Sequence, residues 1–318
     1  MLYCLKDEPI ILWITWTPNL VCKELFPKSI VVYDWIDELD VFSFYSKLME
    51  IDHRKLLYSA DIILATSDAL LKEAQDIRPD ALLVPNGVFI EDFKTEGDFC
   101  PEDMTGIVSH GKPIIGYYGL LGEWRMDYDL INYLCRECGD LNFVFIGPSY
   151  DESSKRLKPA ENLFLLGPKK YEELRDYLKQ FDVAIIPYKV NRVTNSVFPV
   201  KLCEYMAGGK PVVTTNMQEC KKFGSVFVSE KREDFISNIR KALFIKDQAD
   251  YLRILAYEAS SNGWGGRGEE IVKALESEKS QKLAGMKELE SAYQLPEKNS
   301  KPRRSSSAIR LERSTYLI

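Results

Sequence analysis

Hydrophobic and polar positions alternate between two kinds of segment along the chain. "PIILWITW" (9 to 16), "SIVVYD" (29 to 34) and "DIILAT" (61 to 66) are short apolar or β-branched runs, and helical patterns such as residues 68 to 76 fall between or after them. A second series follows: "PIIGYYG" (113 to 119), "NFVFIG" (142 to 147), "NLFLLG" (162 to 167), "DVAIIP" (182 to 187), "KPVVTT" (210 to 215) and "SVFVS" (225 to 229). Continuous apolar runs alternating with helices predict parallel sheets covered on both faces, an α/β protein. Between the two series, residues 84 to 113 lose the periodicity to proline, glycine and acidic positions, which predicts a linker at 96 to 112. The halves are then 1 to 95 and 113 to 262. Residues 231 to 246, 248 to 261 and 264 to 278 read as helices, the last taken as a closing helix at 263 to 278. Residues 279 to 318, ending "KNSKPRRSSSAIRLERSTYLI", are polar, basic and serine-rich and read as a disordered tail.

A length of 318 residues with 45% hydrophobic positions suffices for two packed cores. The formal charge of -6 argues against a general nucleic-acid binder. Cysteines 4, 22, 100, 135, 138, 203 and 220 stand mostly in apolar segments, as buried thiols of a reducing, cytoplasmic compartment would. No apolar run approaches the ~20 residues of a membrane span, so any membrane association is peripheral, at the inner face.

Ligands of open parallel sheets bind at the carboxyl ends of the strands. After "PII" comes "GYYGLLGEWRMDYD", where Gly116, Gly119 and Gly122 would let backbone approach a ligand and Arg125 could counter a phosphate. The spacing is not that of the dinucleotide fingerprint. After "DVAIIP" comes "YKVNRVTNSVFPVK", with Lys189, Arg192 and Lys201 leading into a short helix pattern, "FPVKLCEYMAGGKPVVTT" (198 to 215). Asn195 or Ser196 is its expected cap, Pro199 suits its first turn, and Gly208 and Gly209 end it. Cations near a helix start make an anion site. Glu204, one turn beyond Lys201 and expected at the helix margin, is then either an acceptor for ribose hydroxyls or the partner of an i, i+3 ion pair. Cys135 and Cys138 form a C-x-x-C without further ligands at zinc spacing, and two histidines, His53 and His110, make no persuasive catalytic pair.

The segment 198 to 215 resembles the P-x-K-x-x-E-Y-x-A-x-G-K-P-V-V stretch of family-4-like GT-B glycosyltransferases, notably those of bacterial polysaccharide biosynthesis. "ADIILATSDALLKEA", "VPNGVFIEDF", "IIGYYGLLGEWRMDYDLI" and "NLFLLGPKKYEELRDYLKQFDVAIIPY" follow that family's order, and the resemblance covers residues 9 to 278. It implies a GT-B fold, two Rossmann-like domains with parallel sheets, and a retaining, metal-independent enzyme without cofactor. It would move a hexose-like unit from a nucleotide diphosphate sugar of UDP or GDP type to a surface-polysaccharide or lipid-linked acceptor. It further implies that Glu204 holds the donor ribose and that the loop Gly119, Leu120 and Gly122, with Arg125 and Lys201, contacts the diphosphate. Arg192 and Ser196 belong to the same donor-binding stretch.

Two features depart from the family pattern. Where a second glutamate often stands eight residues before Glu204, this chain has Ser196. The chain also opens on what looks like a middle strand of the amino-terminal domain, so the expected acceptor domain is incomplete, either through truncation or through loss. In "VVYDWIDELD" the family places a residue acting on the sugar or acceptor, making Asp34 or Asp37 the candidate acid/base. The rival expectation is a non-catalytic nucleotide-sugar-binding or partner protein.

Overall fold

A computed structural model describes residues 10–39, 45–94, 97, 99–150 and 152–292, with side chains placed up to residue 280. By contacts the chain divides into two units. Among the described residues, one comprises those within 10–65, 71–83 and 267–292, the other those within 66–70 and 84–266.

The first unit holds β1 (Ile11–Ile14), a 3-10 turn (Thr17–Val21), α1 (Cys22–Leu25), β2 (Ile30–Trp35), α2 (Lys47–Ser59), β3 (Ile62–Ala65), most of α3 (Asp68–Gln75) and β4 (Leu82–Leu83). Its sheet is parallel in the order β1-β2-β3-β4. Every residue of β2 is buried, as expected of a central strand covered on both faces. Ser46 starts α2 by accepting the Met49 amide, and the helix buries Met49, His53, Leu56 and Leu57. In this core the Tyr33 hydroxyl bonds His53 Nδ1 at 2.7 Å, and Trp35 meets the imidazole edge-on with ring centres 4.5 Å apart. Burial, then the neighbouring Arg54 charge, lowers the His53 pKa to about 4. His53 is thus a neutral core group.

The second unit contains α4 (Glu102–Ser109), β5 (Ile114–Tyr118), α5 (Tyr128–Glu137), β6 (Asn142–Ile146), β7 (Leu163–Leu165), α6 (Leu174–Lys179), β8 (Val183–Ile186), α7 (Arg192–Ser196), α8 (Val200–Ala207), β9 (Val212–Thr215), β10 (Val226–Ser229), α9 (Arg232–Ile245) and α10 (Ala249–Ser261). Six parallel strands run in the order β10-β9-β8-β5-β6-β7. The order reverses beside β5, where β8 pairs with its other edge, and that reversal opens a crevice at the strands' carboxyl ends. Finally α11 spans Trp264–Ala292.

The boundary differs from the sequence expectation. Residues 102–109 are not linker but α4, whose Met104 and Ile107 enter the second unit's core, and the continuous part of that unit runs from Val84. Proline and glycine hid a two-turn amphipathic helix there. The closing helix also runs past residue 278, so 279–292 are helical rather than tail; residues 293–318 lie outside the described residues. No helix among the described residues is long and apolar enough to cross a membrane. Cys22, Cys100, Cys135, Cys138, Cys203 and Cys220 are free thiols; Cys135 ends up buried in α5 and Cys138 buried at its C-cap.

Candidate functional site

The site is built where β5 and β8 end. Gly119 follows β5 with φ +136°, and a Cβ there would lie 2.9 Å from Lys201 Cε and from Tyr117 Oη, so glycine leaves the room that the lysine occupies. Gly147, after β6, has φ +142° and would drive a Cβ to 2.0 Å from the Gly119 carbonyl oxygen. The two strand ends therefore close on each other without side chains between them. The Gly119 amide donates to Ile146 O at 2.8 Å and the Leu121 amide to Pro148 O at 2.9 Å, which leaves Leu120 and Gly122 as the loop amides available to a ligand.

The loop then returns to β8. Lys189 N donates to Arg125 O at 2.7 Å, Asp127 N donates to Pro187 O at 2.9 Å, and Met126 bridges Tyr188. This short antiparallel zip fixes Arg125, whose guanidinium carbon stands 3.8 Å from the Trp124 ring centre and 5.7 Å from that of Tyr188. Arg125 Nε is buried and has no hydrogen-bond partner. Lys201 Nζ lies 5.7 and 5.5 Å from the ring centres of Tyr117 and Tyr188, so two cations converge on one tyrosine pair. Tyr117 donates to Leu120 O at 3.0 Å and meets the Tyr188 hydroxyl at 3.3 Å. Burial acts to raise the Tyr188 pKa, but Lys201 and then Arg125 outweigh it and bring the phenol down to about 8. The two positive charges outweigh burial in favouring negative charge at this point, and an anionic ligand would find the same field.

Helix α8 carries the carboxylate. Its N-cap is Pro199, with no side-chain cap; Asn195 and Ser196 instead lie in α7, a separate turn capped by Asn191. The expected cap was misplaced because Asn191 Oδ1, accepting the Thr194 amide at 3.0 Å, starts the earlier helix. Tyr205 pins α8 to β5, its hydroxyl accepting the Tyr118 amide at 3.0 Å. Glu204 is not marginal but buried, with 7% of its surface exposed. The Tyr118 hydroxyl, also buried, stands close enough to the carboxylate for each to shift the other's titration, though no hydrogen bond of standard geometry closes between them. Burial pushes the Glu204 carboxyl up, against the opposing pull of the Lys201 charge and, less, of the Tyr118 hydroxyl nearby. No Lys201–Glu204 ion pair closes, so the helix-pair reading does not account for this glutamate.

The other candidates divide. Leu120 is buried in the loop and Gly122 accepts the Arg125 and Met126 amides. Arg192 is exposed on α7, while Ser196 is buried and its hydroxyl donates to Val193 O at 2.9 Å. In the first unit, Asp34 sits inside β2, fully buried, and accepts the Trp13 indole at 3.0 Å; Asp37 follows the strand and is half-buried. Four tyrosines were missed: Tyr117, Tyr118, Tyr188 and Tyr171, the last 39% exposed and near enough to Glu204 for the carboxylate to raise its pKa after burial has done so. The tyrosines that close β5 and follow β8, in "GYYG" and "IIPYK", were the available signal.

Residues 113–243, which contain all six strands of the second sheet, match the family described as "Glycosyl transferases group 1". A glycosyltransferase named for teichuronic acid biosynthesis, TuaH of Bacillus subtilis (strain 168), is 26% identical over 289 residues, covering 84% of this chain and 72% of that protein. Among solved structures, Anabaena HepE in complex with UDP superposes with a TM-score of 0.68 at 16% identity, over 84% of this chain and 79% of that one. A trehalose 6-phosphate synthase from Burkholderia multivorans gives 0.66 at 13% identity, over 86% and 72%. The sucrose-phosphate synthase of Thermosynechococcus elongatus gives 0.62 at 13%, over 84% and 73%. The fold is therefore GT-B, and the resemblance carried by the residues is to glycosyltransferases of polysaccharide biosynthesis type.

Proposed function

We propose that the chain transfers a sugar from a nucleoside diphosphate sugar to a growing polysaccharide or its lipid-linked precursor. The observation that carries the reading is Glu204, a carboxylate buried beside the Tyr118 hydroxyl and under the pull of the Lys201 charge, with which it closes no ion pair. Burying a carboxylate costs stability. A ribose presenting two adjacent hydroxyls removes that cost, and Lys201, Arg125 and the Leu120 and Gly122 amides then meet the diphosphate. Tyr171 offers a ring to the base. UDP is the favoured nucleotide, because HepE is known with UDP and with UDP-glucose and the trehalose-phosphate synthases are UDP-forming.

In a retaining transfer the bond from the anomeric carbon to the diphosphate oxygen breaks and the bond to the acceptor hydroxyl oxygen forms on the same face, the hydroxyl proton leaving to a phosphate oxygen or a nearby base. Charge accumulates on the leaving diphosphate, where Lys201 and Arg125 stabilise it without reorganising. Neither requires a metal ion. On the acceptor side Asp37 is favoured over Asp34, whose carboxylate is already committed to Trp13 inside the sheet. Free thiols and a nucleotide-sugar donor support action in the cytoplasm, with peripheral contact where the acceptor is lipid-linked.

Calorimetric titration with UDP, GDP and ADP tests donor binding. Incubation with the matching nucleotide sugar, with and without acceptor oligosaccharide, then separates transfer from hydrolysis and from binding alone. Failure of all three nucleotides to bind would remove the reading.

A further inference from the structure

Tyr188 has no task in the donor reading, yet the site is arranged around it. It follows β8, is 2% exposed, and carries both cations over its ring, Lys201 Nζ at 5.5 Å and the Arg125 guanidinium carbon at 5.7 Å from the centre. Among the described residues, the other titratable groups around it are neutral or offset. On β5, burial and then the Tyr188 charge hold the Tyr117 phenol protonated, and on α8 burial does the same for Tyr205. Glu204, its carboxyl pushed up by burial, opposes Lys201 only in part. Lys189, next along the chain, is paired with Glu123 at 3.1 Å. Towards α5 and α9 the ring reaches an open depression whose charges balance: Asp127 caps α5, Asp129 faces Arg156 at 3.8 Å, Glu233 holds Arg232 at 2.9 Å, and Glu230 stands against Lys231. The field at Tyr188 is therefore set by Lys201 and Arg125.

The hydrogens of the tyrosine pair can be counted. Tyr117 has one to donate and two oxygens in reach of it, Leu120 O at 3.0 Å and Tyr188 Oη at 3.3 Å. While Tyr188 keeps its proton, it donates to Tyr117 Oη and Tyr117 donates to Leu120 O, a chain that pins the loop offering the Leu120 amide. A phenolate only accepts, so when Tyr188 loses its proton the Tyr117 hydrogen turns to it and the Leu120 carbonyl is released. The phenolate is also an anion already seated under the two cations. A diphosphate arriving there meets a competitor within the protein itself.

We propose that Tyr188 and the diphosphate compete as counter-anions for Lys201 and Arg125, so that binding the diphosphate makes the Tyr188 phenolate take up one proton. The proton comes from the buffer acid, one O–H bond forms on Tyr188, and the chain through Tyr117 to Leu120 O is restored. Tyr188 acts on the donor through the two cations and is a positioning residue: once protonated, it leaves their full charge to the phosphates. That the anion belongs to a nucleotide sugar rests on the glycosyltransferase reading; the exchange of phenolate for anion does not.

Lys201 and then Arg125, against burial, bring the Tyr188 pKa to about 8, so about one-tenth of the molecules hold the phenolate at pH 7 and about three-quarters at pH 8.5. Calorimetry of UDP at pH 8.5 in two buffers of different ionisation enthalpy should show uptake of about 0.5–0.8 proton per UDP bound. The phenolate absorbance should fall by the same fraction, and affinity should drop about four-fold from pH 7 to pH 8.5. Tyr188→Phe should show neither the uptake nor the absorbance change, and its affinity should vary less than about two-fold over that range. Tyr117→Phe, the second variant should the first not fold, removes the hydrogen that a phenolate accepts and should move the absorbance midpoint of the free protein upward; an unmoved midpoint would overturn the hydrogen chain. Inorganic pyrophosphate, followed by absorbance alone, separates the two readings. Phenolate lost to pyrophosphate without any binding of UDP would remove the nucleotide and keep the exchange. UDP binding with no proton uptake and no absorbance change would overturn the exchange and spare the nucleotide. A phenolate unaltered by either anion, or uptake that persists in Tyr188→Phe, would also overturn it.

Discussion

Replacing Glu204 by glutamine removes one charge and keeps the shape of the side chain. In the unliganded protein the carboxylate is buried and its pKa is raised above the unfolded value, so the folded state holds the proton more tightly than the unfolded state does. The ionised group therefore costs stability at pH values above the folded pKa, and the cost fades as pH falls through the folded pKa to the unfolded one. Glu204→Gln should leave the melting temperature at pH 7 unchanged or raise it, with the difference shrinking in acid. Binding should move oppositely. A hydrogen bond to a charged acceptor contributes about 1.5–3 kcal/mol, so losing one ribose contact weakens UDP roughly ten- to a hundred-fold. The 2',3'-dideoxy analogue has no hydroxyls to lose and should bind both proteins within about three-fold, a spread of under 1 kcal/mol. Calorimetry of both nucleotides on both proteins, with thermal melts at pH 5 and 7, gives all the terms. If the variant lost stability and weakened both nucleotides alike, Glu204 would be a structural group and the donor assignment would fall.

Lys201→Ala should weaken UDP more than UMP, because its charge faces the diphosphate, and should raise the Tyr188 pKa from about 8, visible as a shifted phenolate absorbance titration. Gly147→Ala forces a Cβ to 2.0 Å from the Gly119 carbonyl at φ +142°; a loss of about 1–3 kcal/mol or more in urea unfolding is expected, with impaired UDP binding because the Gly119 loop must move. His53, with its pKa lowered to about 4 against 6.5 unfolded, makes the first unit's stability full above pH 6.5 and declining as pH falls towards 4, by up to about 3 kcal/mol. Chemical unfolding of wild type and His53→Phe across that range should show the slope only in the wild type.

Much of this was legible in the order of residues. Short β-branched runs alternating with helices are a local signal, because a strand covered on both faces must be apolar throughout, and nine of the predicted runs stand as β1, β2, β3 and β5 to β10. The donor candidates Gly119, Arg125, Lys201 and Glu204 came from the rule that ligands meet parallel sheets at strand ends, and the structure gathers them at the ends of β5 and β8. What the sequence left open depended on contacts between distant segments. Glu204 was expected at a margin, since a periodic pattern says which face a residue takes and not what lies over it; its burial is set by Tyr118 and the β5 end. The helix start at Pro199 was decided by Asn191 claiming the earlier cap, and α4 was hidden because two turns of amphipathic helix are too short to outweigh their glycine and proline neighbours. The lowered Tyr188 phenol is a property of a three-dimensional neighbourhood, one cation arriving from the loop after β5 and the other from the first turn of α8, and no spacing along the chain encodes it.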